Sequence, residues 1–152
     1  MWAIMIGLFS TAAFAETPTQ CVADEKVVFS CSVGKKTASI CSSKDAAKDK
    51  GYVQYRFGVI GKPEMTFPSQ KDPANKNFNF SYDMFGGGGG STISFSKGEF
   101  KYSVGSRIVH QQESGDITVE KSGKIIATLE CKTTPQGNED LEKLGLNKID
   151  IE

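Results

Sequence analysis

Two cysteines on the two arms of one short hairpin constrain this chain more than any other feature. The stretch KVVFSCSVGKKTASICSS, residues 26–43, reads as two β-type runs around Gly34-Lys35-Lys36, with Cys31 on the first and Cys41 on the second. In the first run Val27, Phe29, Cys31 and Val33 alternate onto one face, because side chains in a strand repeat every second residue. In the second run Ala38 and Ile40 are the apolar pair, which turns Cys41 to the opposite face. A loop over residues 34–37 sets Cys31 opposite Ile40 and Val33 opposite Ala38, and buries one apolar face. A loop one residue longer sets Cys31 across from Cys41. A one-residue slip flips every side chain, so the two registers exclude each other without a bulge.

The compartment follows from the N-terminus and the cysteine count. Residues 1–15 are apolar and end in Ala13-Phe14-Ala15, a pattern of small residues that suits signal peptidase, although no Lys or Arg precedes the apolar run. A bilayer span needs about 20 residues, so a removable signal is expected, with no stable membrane insertion after it is cut. Cys21 follows Thr-Pro-Thr-Gln, which is not a lipobox. Four cysteines, Cys21, Cys31, Cys41 and Cys131, remain in the exported chain, and an even count there implies two disulfides. A zinc site is disfavoured, since there is no C-x-x-C pair and His110 is the single histidine. The 18 basic and 18 acidic residues all lie outside the signal. A neutral chain without a basic block gives no reason to invoke nucleic acid.

The remaining runs read as further hairpins. Tyr52-Val53-Gln54-Tyr55-Arg56-Phe57 is a strand, residues 58–63 a Gly/Pro turn, and residues 64–67 a return strand. After a polar loop, Phe78, Phe80 and Tyr82 alternate with Asn79, Ser81 and Asp83. Ile93 and Phe95 lead into a Lys97-Gly98 turn, and Phe100, Tyr102 and Val104 return. Residues 107–112 are a strand or an excursion. Ile117 and Val119 pair best with Ile125, Ala127 and Leu129 through a three-residue loop at 122–124, which turns Cys131 inward. Alternation therefore favours Cys31–Cys131 with Cys21–Cys41, whereas proximity along the chain favours Cys31–Cys41 with Cys21–Cys131. The expected fold is all-β, a single antiparallel sandwich or barrel of about eight strands over residues 16–134. Residues 135–152 form a polar tail in which NEDLEKLGL suits a short, loosely packed helix.

The series FSC, GKK, C, GYVQYRFG and GKPE, followed by a Gly-rich segment, resembles a family of small exported bacterial proteins of unknown function. The resemblance implies an exported protein and supplies no catalytic residues. None is framed by motif either. His110 lacks a G-x-S-x-G elbow, and oxidised cysteines offer no thiolate. Asn79-Phe80-Ser81 is a glycosylation sequon, relevant only where the host glycosylates. The run Gly86–Gly90 is not a P-loop, because no Lys follows it. It reads either as a flexible linker or as a side-chain-free loop that approaches a partner, with Phe85 as anchor. Arg56, between aromatics, is either a solvated strand charge or positioned to stack or to grip a carboxylate. The expected function is a non-enzymatic binding protein, periplasmic or secreted, needing no cofactor and contacting a protein or envelope partner. Its contacts are expected from Tyr55, Arg56, Phe85, Gly86, Gly87 and Gly88. Hydrolase inhibitors and immunity proteins share this size and compartment. The alternatives are a hydrolase with an unrecognised carboxylate site, or a structural envelope component.

Overall fold

A computed structural model describes residues 17–137 and 139–150; the signal-like segment 1–15 lies outside them. Ten strands form two sheets. The first holds β1 (Glu25–Ser32), β2 (Thr37–Ser43), β3 (Val53–Val59) and β4 (Lys62–Phe67) in sequence order. The second holds β5 (Asn79–Phe85), β6 (Gly88–Lys97), β7 (Phe100–Val109), β8 (Gln112–Lys121) and β9 (Lys124–Glu130), with the two-residue β10 (Asn147–Lys148) added beside β5. Neighbours are antiparallel except β10, which runs parallel to β5. The architecture is sandwich-like and all-β.

Three hairpins form with local geometry the pattern did not resolve. In the first, the loop is residues 33–36, and Cys31 faces Ala38 while Phe29 faces Ile40. This register lies two residues from the expected one, an even shift that keeps Phe29, Cys31, Ala38 and Ile40 on their face, while Val27, expected beside them, lies opposite outward-facing Cys41. One extra residue, Val28, is bulged between Val27 and Phe29, so Val28 and Phe29 are both buried. Residues 107–112 are not an excursion. β7 continues to Val109, and His110-Gln111 turns the chain with positive φ at both residues. The β8–β9 pairing sets Ile117 against Leu129 and Val119 against Ala127 as expected. The loop, however, is the two-residue Ser122-Gly123, and Ile126 is bulged out to absorb the difference, which places Ile125 opposite Glu120.

Aromatic rings join the sheets. Phe95 of β6 stacks on Phe67 of β4 at 4.5 Å and on Tyr102 of β7 at 5.1 Å, and Tyr55 of β3 approaches it to 5.0 Å. Each such pair adds about 0.5–1.5 kcal/mol beyond the area it buries. The Cys31–Cys131 disulfide closes the sandwich, and Cys21–Cys41 forms separately, the pairing that alternation favoured. Beyond Cys131 the chain runs along the outer edge of β1, where Ser30 and Gln136 exchange backbone hydrogen bonds of 2.9 Å. The tail is not loosely packed. Leu141, Leu144 and Leu146 are buried in the core, and residues 141–145 form turns rather than a helix. Gly145 permits this through its positive φ, after which β10 continues onto β5.

Candidate functional site

Residues 17–24 lie across the outer face of the four-stranded sheet, fastened by Cys21–Cys41. Gln20 stitches the segment down: its Nε2 donates to the Gly58 carbonyl at 2.8 Å, and its Oε1 accepts from the Gly61 N–H at 3.2 Å. Beneath the segment, Arg56 grips a carboxylate, but an internal one. Arg56 Nη1 and Nη2 donate to Glu25 Oε2 and Oε1, each at 2.7 Å. The Tyr52 hydroxyl and the Val22 N–H donate to the same carboxylate at 2.8 and 2.9 Å. Burial alone would raise the Glu25 carboxyl, but the Arg56 fork and the Val22 and Tyr52 donors outweigh it and hold the pKa down at about 2. Arg56 also donates to Gln54 Oε1 at 2.9 Å, so little of its fork remains free.

Cys21, Glu25 and Cys41 bring ligand-type atoms together. Their sulfurs are bonded to each other and the carboxylate already accepts four donors, so the trio is a clasp rather than a metal centre.

Tyr55 and Arg56 do not share a surface. Adjacent strand residues point to opposite faces, and Tyr55 is 2% exposed, its ring in the core. Burial pushes the Tyr55 hydroxyl well above its usual range. Tyr55 is therefore not a surface contact residue, and Arg56 is engaged internally.

The glycine run lies elsewhere, and it is not a linker. Gly86-Gly87 turn the chain between β5 and β6, while Gly88, Gly89 and Gly90 are paired on both sides within β6. A Cβ on Gly89 would stand 2.8 Å from the Asp83 carbonyl oxygen, and one on Gly90 would stand 2.6 Å from that of Ser106. Neighbouring backbones approach too closely for any side chain. His110 closes the same end: its N–H donates to the Gly87 carbonyl at 2.9 Å, and its ring lies over Gly87.

Around these glycines the core-facing side of the six-stranded sheet continues past the four-stranded sheet. The row Phe80, Tyr82, Met84 runs from buried to exposed, with Tyr82 at 51% and Met84 at 89%. Ile108 on β7 is also exposed. With Gly88–Gly90, Ser91 and Ser106 these side chains line an open groove to which the four-stranded sheet contributes nothing. Inward it narrows to a recess of about 70 Å³ between the sheets, reaching Val28, Ile93 and Val104. Phe85, 41% exposed, projects from the other side of the same tip by strand alternation.

No family model matches this chain, and no curated protein or solved structure matches it either. Of the residues singled out in the sequence, Phe85, Gly86, Gly87 and Gly88 share one end of the six-stranded sheet, whereas Tyr55 and Arg56 belong to the other sheet. Sequence reasoning missed Met84 and Ile108 as surface residues. The signal was present in the period-two row Phe80-Tyr82-Met84, which continues an apolar face beyond the point where a core could cover it.

Proposed function

We propose that this chain is an exported, non-enzymatic binding protein that engages a protein or cell-envelope partner through the open end of its six-stranded sheet. The observation that carries this reading is the exposed apolar group of Tyr82, Met84 and Ile108 beside a glycine-only strand segment, with Phe85 exposed on the opposite face of the same tip. Apolar side chains gathered at one rim are an interaction signature, whereas scattered ones are not. The glycines add exposed backbone that a partner can approach without steric hindrance. Two disulfides are compatible with an oxidising location, and the resemblance to small exported bacterial proteins supports a periplasmic or secreted one. An inhibitor- or immunity-like role fits this reading: a covalently braced β scaffold presenting one apolar tip.

The test is affinity capture from an envelope fraction with the oxidised protein beside Met84→Asp and Ile108→Asp variants, each with an unchanged far-UV circular-dichroism spectrum. A partner retained by the wild type and lost with both variants supports the proposal. Equal retention by all three removes this surface from consideration.

A further inference from the structure

We infer that β9 is a self-association edge through which two copies pair antiparallel into a closed two-fold dimer. Of the other sheet edges, β1 and β4 are protected, while β10 covers β5 only at Asn79 and Phe80 and leaves Ser81–Phe85 beside the open groove. β1 is covered by the returning chain at residues 132–136. β4 carries Pro63, which has no N–H to offer another strand. β10 is two residues long. In contrast β9 is seven residues long and exposed almost throughout, with Ile125 at 64%, Ile126 at 56% and Leu129 at 38%. A long apolar edge with free backbone donors and acceptors is a template for another strand.

The ends of β9 indicate which strand. Lys124 faces Lys121 across the ladder, and Glu130 faces Asp116, which is itself held by Arg107 at 2.7 Å. Among the described residues neither Lys124 nor Glu130 has an ion-pair partner. Each end of the strand thus carries a charge opposed by a like charge in its own sheet. An antiparallel second copy brings the Lys124 end of one strand against the Glu130 end of the other, twice, as a two-fold axis requires. The Ile126 bulge interrupts the ladder on each strand and keeps the pairing short, so the association is weak and reversible. Because a two-fold pairing uses the same edge of both copies, β9 is consumed in each and assembly through it stops at two.

Sedimentation velocity on the oxidised protein, from micromolar to millimolar concentration, tests the inference. The wild type should show a concentration-dependent dimer. Lys124→Glu alone and Glu130→Lys alone should each weaken it by about tenfold or more, because both end contacts become like-charged. The double variant should recover the wild-type dimer, and an equimolar mixture of the two single variants should form a heterodimer. Met84→Asp should leave dimerisation unchanged. A wild type that stays monomeric throughout overturns the inference. So does a dimer that ignores the charge reversals, is not recovered in the double variant, or is lost with Met84→Asp.

Discussion

Replacing Glu25 by Gln removes one negative charge from beneath the N-terminal segment, and the consequence is calculable. The Glu25 side chain is 1% exposed and that of Arg56 is 12% exposed, so solvent screens the pair little. The folded state lowers the Glu25 pKa from the ordinary 4.5 to about 2. A depressed carboxyl favours the folded state only while ionised, so its contribution is complete above the unfolded pKa and is lost as pH falls towards 2. At about 1.4 kcal/mol per pH unit the contribution is about 3 kcal/mol. Gln cannot supply the charge and leaves the Arg56 guanidinium buried without its counter-ion, a change that ordinarily costs about 3–5 kcal/mol. The assay is urea unfolding of both oxidised proteins between pH 7 and pH 2, followed by circular dichroism. At pH 7 the variant should be less stable by about 3 kcal/mol or more. Towards pH 2 the gap should close by about 3 kcal/mol, because the wild type then also loses its charge. Other carboxylates titrate equally in both proteins and cancel. A gap of constant size across that range would refute the reasoning.

Three further outcomes are expected. Phe95→Ala removes the ring that Phe67, Tyr55 and Tyr102 share and should lower stability by about 3–5 kcal/mol, read from the urea midpoint at unchanged slope. Replacing both Cys31 and Cys131 by Ala opens a span of 100 residues and should cost about 5 kcal/mol; replacing Cys21 and Cys41 opens 20 and should cost about 3 kcal/mol in the same assay. Gly90→Ala drives a methyl group into the Ser106 carbonyl and the Arg107 side chain and should destabilise by about 1–3 kcal/mol, with faster chymotrypsin cleavage near Phe85.

Much of the fold was written in period two. The alternation of Phe29 and Cys31, of Ile93 and Phe95, and of Ile117 and Val119 fixed which faces are buried, and with them the Cys31–Cys131 bond. What alternation cannot encode is a bulge, since Val28 and Ile126 look like ordinary strand residues. Their extra backbone unit is set by how the twisted sheets meet. The tail was misread for a related reason. Leu141, Leu144 and Leu146 do not share one helical or strand face, so their burial becomes visible only when turns at 141–145 carry all three to the same core. Arg56 was legible as a carboxylate grip. Its partner lies 31 positions earlier, at a residue with no local distinction. The glycine run was most ambiguous, because composition alone does not separate a free linker from a strand squeezed between two carbonyl rows.

The two crosslinks interlace, joining first cysteine to third and second to fourth along the chain. No correct bond therefore connects successive thiols. An oxidant acting on each sulfur as it arrives would trap Cys21 with Cys31, and thiol–disulfide exchange must then undo that link. Folding ahead of oxidation avoids that detour, because the paired sheets bring Cys31 to Cys131 and Cys21 to Cys41.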